Sequence, residues 1–377
     1  MLTSFDDYPI HSGSAPVNET GTSDPNHYDR YFFNGYRSDA SLYFAVAMGL
    51  YPNRHVADAS FSVIVNGQEQ ISIHASCRAH PDRAKTNHVG PIQVNVLEPM
   101  KRHQIIVDSA EHGVKADLIF VARSGPVQEP HFLVKAGQRT LFDYTRLTQF
   151  GHWSGWVEVD GVRHEVDGVR HEVDATSTYG SRDRSWGVRP VGPAAELGAP
   201  VGERQFYWLW APINFENFAT HFDVNEYASG KRWHETGFII PDGDQAAHEM
   251  ERVEYATTWR PGTRWAQEFS IDLIDEAADV HSIVLEPLYE FHMLGIGYGN
   301  PEWGHGHWKG ELAVGSERWA LPVQNPCDPR NIHIQALCRA TMTDAQGVTH
   351  HGIGILEQLI LGPHEPTGLT GIIDPSR

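Results

Sequence analysis

Short runs of alternating apolar and polar residues dominate this chain, and Gly, Pro, Asn and Asp break them at close intervals. An alternation of period two places successive side chains on opposite faces of an extended strand, whereas an amphipathic helix needs a period near 3.6. Long helical patterns are scarce, so the sequence predicts an all-β protein. Ser41 to Met48 reads as a buried strand. Ala59 to Val65 and Gln68 to His74 flank Asn66-Gly67, a pair that tolerates the positive φ angles of a tight hairpin turn. Ile92 to Leu97, Gln104 to Val107 and Ala116 to Val121 continue the series, while Leu141 to Phe150 is ambiguous. Beyond residue 200 come Phe206 to Trp210, Phe218 to Asn225, Arg232 to Ile240, Val253 to Trp259, Arg264 to Leu273, Ser282 to Leu288, Arg318 to Leu321 and Gly352 to Leu361. Such spacing suggests antiparallel meanders that curl into sandwiches or barrels.

A chain of 377 residues is long enough for two such units. The predicted division is an N-terminal extension over 1–27, a first β domain over 28–190 and a second over 191–377, with the boundary lying between Pro130 and Val201. No βαβ rhythm, dinucleotide glycine motif or phosphate-binding loop is visible, so nucleotide binding lacks support. Lys plus Arg number 29 against 48 Asp plus Glu, a formal charge of −19, which disfavours nucleic acid and anionic membranes as partners. No apolar stretch approaches the roughly 18–20 residues of a membrane span. The start, MLTSFDDYPIHSGSAP, lacks the basic residues and apolar core of a secretory signal. Three cysteines (Cys77, Cys327 and Cys338) fit neither a disulfide framework nor a zinc pattern. A cytoplasmic setting is therefore expected.

Two local features stand out. VDGVRHE occurs twice in immediate succession from Val159. Seven is odd and strands alternate with period two, so an added copy must be absorbed in a bulge or a longer hairpin loop. Asp160-Gly161 and Asp167-Gly168 are both plausible turns. His164-Glu165 and His171-Glu172 are poor metal ligands, because adjacent strand residues point opposite ways. The duplication reads as a surface hairpin extension. Just beyond it, GSRDRSWGVRP sets three arginines around Asp183 and Trp186. If extended, Asp183 and Ser185 share one face and Arg182, Arg184 and Trp186 the other, with an arginine fork able to hold Asp183.

A V-D-G unit followed by R-D-x-S-W-G-x-R, here Val166-Asp167-Gly168 and Arg182 to Arg189, resembles the AttH-like and carotenoid-hydratase-like family, also called hydroxyneurosporene synthases. The resemblance in pattern spans about Tyr28 to Leu361 and implies two lipocalin-like β-barrels packed together. It implies an activity on the double bond of a hydrophobic, terpenoid-like or polycyclic molecule: hydration, dehydration or isomerisation. This chain carries two V-D-G units where the pattern needs one, so the carotenoid substrate is not carried over.

Protonating an unactivated alkene requires a carboxylic acid whose pKa is raised by burial, in a dry pocket with aromatic faces to stabilise a carbocation. The resemblance favours Asp183 as the key carboxylate, flanked by Arg182 and Arg184. The chemistry equally allows Glu216, Asp223 or Glu290. Trp186, Tyr207, Trp208 and Trp210 are candidate ligand-binding aromatics. A second candidate region, Tyr289 to Trp308, supplies Glu290 and His292 as further catalytic candidates and His305 and His307 as ligand-binding ones. The two histidines could share a strand face and hold a metal, but the surrounding glycines imply a loop, flexible or tightly turned. No metal or other cofactor is expected. The competing expectation is a non-catalytic carrier of a hydrophobic small molecule. Substrate, reaction direction and homodimer formation stay open.

Overall fold

The computed structural model describes residues 1–166, 177–192 and 204–376. Among these, contacts divide the chain into two compact units: 1–192 with 295–319, and 204–294 with 320–376. The segment 295–319, placed by sequence in the second domain, and residues 1–27, read as an extension, thus both belong to the first unit. Their attachments are long-range side-chain and edge-strand contacts, which leave little local pattern.

All-β architecture is borne out. The first unit holds a 14-stranded antiparallel sheet. Its main path runs Leu312–Ala320, Glu69–Arg78, Val56–Val65, Leu42–Tyr51, His27–Arg37, Thr178–Val188, Arg139–Val159, Val114–Ala122, Arg102–Ser109, Ile92–Glu98 and His88–Val89. Val56–Val65 and Glu69–Arg78 return to touch His88–Val89, so the sheet closes around one core in the lipocalin-like manner. The second unit holds a 10-stranded sheet. Its main path runs His248–Glu249, Arg232–Pro241, Phe218–Glu226, Phe206–Trp210, Thr349–Leu361, Ile334–Thr343, Val280–His292, Ala266–Ile274 and Arg252–Trp259. There Arg232–Pro241 meets Arg252–Trp259. No helix among the described residues is long and apolar enough to cross a membrane.

Side-chain alternation explains the facing of the strands. In Val114–Ala122, Val114, Ala116, Leu118 and Phe120 enter the first core while their neighbours stay more accessible. Leu42–Tyr51 is buried on both faces: Leu42, Phe44, Val46, Met48 and Leu50 enter the core, and the opposite side chains are also covered. Trp153, fully buried, packs edge-on against Phe33, Phe44 and Phe120 with centroids 5.1 to 5.8 Å away, and its indole donates to the Asn34 carbonyl at 2.8 Å.

Both turn expectations within the described residues hold. Asn66 and Gly67 take φ of 52° and 65°, joining Val56–Val65 to Glu69–Arg78. Asp160 and Gly161 take φ of 49° and 81°, so the first VDGVRHE copy folds as a hairpin in which Val159 faces Val162. Asp160 is tied by Arg318 at 2.6 Å, and Arg163 pairs with Glu165 at 2.6 Å on the exposed side. The second copy, from Asp167 with His171 and Glu172, lies outside the described residues, as does Gly168 of the quoted V-D-G unit.

Candidate functional site

Thr178–Val188 carries the RDRSWG run as a strand between His27–Arg37 and Arg139–Val159. Register sets Tyr31 opposite Arg184 and Phe33 opposite Arg182, so both arginines turn inward with the core aromatics. Arg182 donates to Asp7 Oδ1 at 2.7 Å and to Gln149 at 2.8 Å. Arg184 donates to Asp29 Oδ1 at 2.5 Å and to the Tyr8 carbonyl at 2.7 Å. The arginine fork expected around Asp183 is therefore corrected: it serves Asp7 and Asp29, because alternation sends Asp183 to the other face.

At this inner end Asp7 and Asp29 are both held ionised. Burial opposes the charge on Asp7, but Arg182, His103 and the Met100 amide outweigh it and keep its pKa well below the usual range. For Asp29, burial is likewise outweighed by Arg184 and His11. His103, 2.9 Å from Asp7, is pushed down to about 4 by burial and by Arg182. Trp186 lies on this inner side and stacks on His11 at 3.9 Å, with His11 Nδ1 3.0 Å from Asp29. Above the layer opens a cavity of about 720 Å³, lined by Phe5, Tyr8, Ile10, Val17, Tyr31 and Val96 among others. The Tyr31 hydroxyl on its wall donates to the Asp7 carbonyl at 2.6 Å.

The outer face of the same sheet is covered by the glycine-rich segment that follows Leu294. Gly295 fits where a Cβ would stand 2.3 Å from Gln70 Nε2, and its carbonyl accepts from Ser62 at 2.8 Å. Gly297, Gly299 and Gly306 take positive φ, so these glycines make tight turns against the sheet. Tyr298 accepts from Arg30 at 2.7 Å and from Arg189 at 3.3 Å, and Arg189 also stacks over Tyr28. Burial pushes the Tyr28 phenol up to about 12. His305 stands edge-on to Tyr298 and bonds the Ile296 carbonyl at 2.9 Å. His307 occupies a different place, in a small crevice shared with Asp58, Ser60, His74, Ser76 and Trp303.

Asp58 is the residue that the sequence reading missed. Its Oδ1 accepts from Tyr51 at 3.2 Å and its Oδ2 from the Gly306 amide at 2.7 Å. Surrounding protein pushes its pKa up to about 6, although Gly306, Arg30, Tyr51 and Arg189 all pull the other way. Part of its surface stays accessible. Within the crevice, His74 bonds Ser60 at 2.9 Å, lies 3.0 Å from a Glu317 carboxylate oxygen and stacks on Trp303. The crevice itself holds about 10 Å³, room for about one water beside several polar partners. Nothing local marked Asp58: in VADASFSV it reads as an ordinary polar strand position, and its surroundings come from far along the chain.

The remaining candidates belong to the second unit. Tyr207 is buried and stacks on His364 at 3.9 Å, while His364 bonds Glu226 at 2.8 Å. Trp208 donates to Asp223 at 2.8 Å, which also lies 3.2 Å from His234. Trp210 is buried edge-on to His221. Glu290 is buried against Arg260 at 2.5 Å, and burial pushes the adjacent strand's-end histidine, His292, down to about 4 beside Trp265. Glu216 is exposed, so nothing there desolvates it. The first unit thus brings Asp183, Arg182, Arg184, Trp186, His305 and His307 onto two faces of one sheet, and the second gathers Tyr207, Trp208, Trp210, Glu290 and His292.

The sequence matches a family of unknown function, DUF8625, over residues 2–370. No curated protein matches. Among solved structures, similar folds include a protein provisionally assigned as AttH from Nitrosomonas europaea, with a TM-score of 0.53 and 12% identity over 93% of this chain and 98% of that one. Kievitone hydratase from Nectria haematococca gives 0.52 and 12% over 94% and 98%. CghA gives 0.50 and 11% over 94% and 95%. The AttH-like resemblance is borne out for the fold. At such identities these likenesses speak for architecture alone.

Proposed function

We propose that this chain, which belongs to the DUF8625 family, is a hydratase, dehydratase or isomerase that acts by acid catalysis on a carbon–carbon double bond of an apolar terpenoid-like or polycyclic molecule. The observation that carries the reading is Asp58. A carboxyl pushed up to about 6 is part-protonated near neutrality and can donate, whereas Asp7 and Asp29 are fixed as carboxylates. The Tyr51 hydroxyl and Gly306 amide fix its orientation.

In the hydration direction Asp58 would give its proton to one alkene carbon and leave a carbocation on the other; the crevice beside it has room for about one water, so the alkene reaches Asp58 only where the glycine-rich segment over it gives way. A water in the crevice adds through its oxygen, and its surplus proton returns to the Asp58 carboxylate, so alkene plus water gives alcohol and the acid is regenerated. Dehydration is the reverse, and isomerisation loses a proton from the neighbouring carbon instead. The route asks nothing of a cofactor. That kievitone hydratase shares the fold is consistent with this class of reaction. Asp183 is the rival acid, on Thr178–Val188, which two strands separate from Val56–Val65 in the same sheet.

The test is a screen of terpenoid and polycyclic alkenes in H₂¹⁸O, with wild type, Asp58→Asn and Asp183→Asn in parallel. Label incorporation by wild type, lost in Asp58→Asn with ligand binding kept, is the expected result. Loss in Asp183→Asn alone would transfer the acid role to Asp183. A second reading, a carrier without chemistry, is favoured by one observation: the cavity of about 720 Å³ lies over Asp7 and Asp29, both held as carboxylates.

A further inference from the structure

The inner end of the first unit holds more buried positive charge than negative. Arg83, Arg182 and Arg184 are 6%, 0% and 0% exposed, and face Asp7 and Asp29 at 0% and 1%. Asp7 is taken by Arg182 and Asp29 by Arg184. Asp82 beside Arg83 is exposed, caps Ala84 and pairs with Lys85 at 3.8 Å. Among the described residues, Arg83 is therefore the one of these three cations that pairs with no carboxylate. Its Nη1 donates to the carbonyls of Pro9 and His11, each at 3.2 Å, and its Nη2 is buried with no partner among the described residues. Burial lowers its pKa, and Asp29 offsets this only in part. A buried guanidinium donor left unused is costly, and a charged acceptor relieves it.

Arg83 lines the cavity of about 720 Å³ described above. The volume lies within the usual range for small-molecule sites, and most of the wall is apolar (Phe5, Tyr8, Ile10, Val17, Tyr31 and Val96); its charged members are Arg83 and Asp82, of which Asp82 pairs with Lys85. We infer that this cavity binds an apolar small molecule bearing a carboxylate, with its hydrocarbon body against these side chains and its carboxylate on Arg83. The inference rests on the cavity and its charge count, and is independent of the reaction assigned to Asp58.

Calorimetric titration of delipidated full-length protein at pH 8 with decanoate and with decan-1-ol tests it. These probes share a chain and differ in the head group. Decanoate should bind at least about tenfold tighter than the alcohol, the order expected of a charge-assisted bond. Arg83→Met should remove that preference while leaving decanol binding unchanged, and Arg83→Lys should retain part of it. Val17→Trp, at an exposed point on the rim, should weaken both probes and so locate the site. Asp58→Asn should bind decanoate as wild type does, which separates this proposal from the catalytic one. Equal affinity for the two probes in wild type, or binding of neither, overturns the inference even if Arg83→Met fails to fold. A preference that persists in a folded Arg83→Met also overturns it.

Discussion

Asp58→Asn tests the electrostatics at the root of the functional proposal, without knowledge of the substrate. Asparagine keeps the shape: its oxygen can accept from the Gly306 amide and its nitrogen can donate to the Tyr51 oxygen. What it removes is a charge the folded protein disfavours. The Asp58 carboxyl moves from an ordinary 3.8 to about 6 on folding. At 1.36 kcal/mol per pH unit, ionising it in the folded state costs about 3 kcal/mol. A raised carboxyl pKa means that the folded state binds the extra proton between about pH 4 and 6, so this group's contribution to stability is favourable below that window and is lost as pH rises through it. The substituted amide does not titrate and has no such dependence. The variant should match wild type at pH 4 and exceed it by up to about 3 kcal/mol at pH 8. Two units need not unfold together, so the measurement should read the first alone: hydrogen exchange of the amides in Val56–Val65 and Glu69–Arg78. Relative to wild type at the same pH, these amides should exchange up to about 100-fold more slowly in the variant at pH 8, and equally at pH 4. A variant that is less stable at pH 8, or whose difference from wild type is the same at both pH values, would refute the claim that Asp58 carries a raised pKa.

Two further outcomes follow from the same framework. Arg184→Met strands Asp29 as a buried carboxylate and should cost about 3–5 kcal/mol, while the double variant with Asp29→Asn should recover much of it; a purely additive double-mutant cycle in urea unfolding would contradict the pairing. Deleting one VDGVRHE copy regenerates the same Asp160-Gly161 turn sequence after Val159 and should change stability by no more than about 0.5 kcal/mol, and a loss above about 2 kcal/mol would show that the duplication is structural.

Period-two patterning made most of the β architecture legible, because each strand's facing is written in a few consecutive residues. Phe206–Trp210 is found at its expected bounds, and the ambiguous Leu141 to Phe150 proves to be the middle of the 21-residue strand Arg139–Val159. His27–Arg37 and Ile334–Thr343 escaped the reading. His27–Arg37 is buried almost throughout, and its inward face mixes Asp29 with Tyr31 and Phe33, so polarity does not alternate along it. The site was legible only in part. The sequence singled out Arg182 and Arg184 correctly as unusual but paired them with a neighbour. Their partners, Asp7 and Asp29, stand more than 150 residues upstream, and no local spacing encodes an ion pair closed by tertiary structure. Residues 1–27 read as an extension for the same reason: a short 3₁₀ turn with no alternation gives no sign that Asp7 is a buried counter-ion.

Two aspartates of one β unit illustrate how environment, rather than residue type, divides roles. Asp7 and Asp58 are both withdrawn from water, and withdrawal alone would raise both pKa values. Asp7 receives a guanidinium at 2.7 Å and a histidine at 2.9 Å, direct bonds to the charged form, and its carboxyl falls far below the ordinary value. Asp58 has Arg30 and Arg189 in its surroundings, but both hand bonds to Tyr298, and its own partners are a neutral hydroxyl and a neutral amide. The cations act on Asp58 through space, not by contact, and burial prevails. The sequence signal points to the run with most arginine, yet a carboxylate that arginine grips is the one least able to give up a proton. A search for an acid in such a chain should therefore pass over the arginine-rich strand and look for the carboxyl nearby that neutral donors hold.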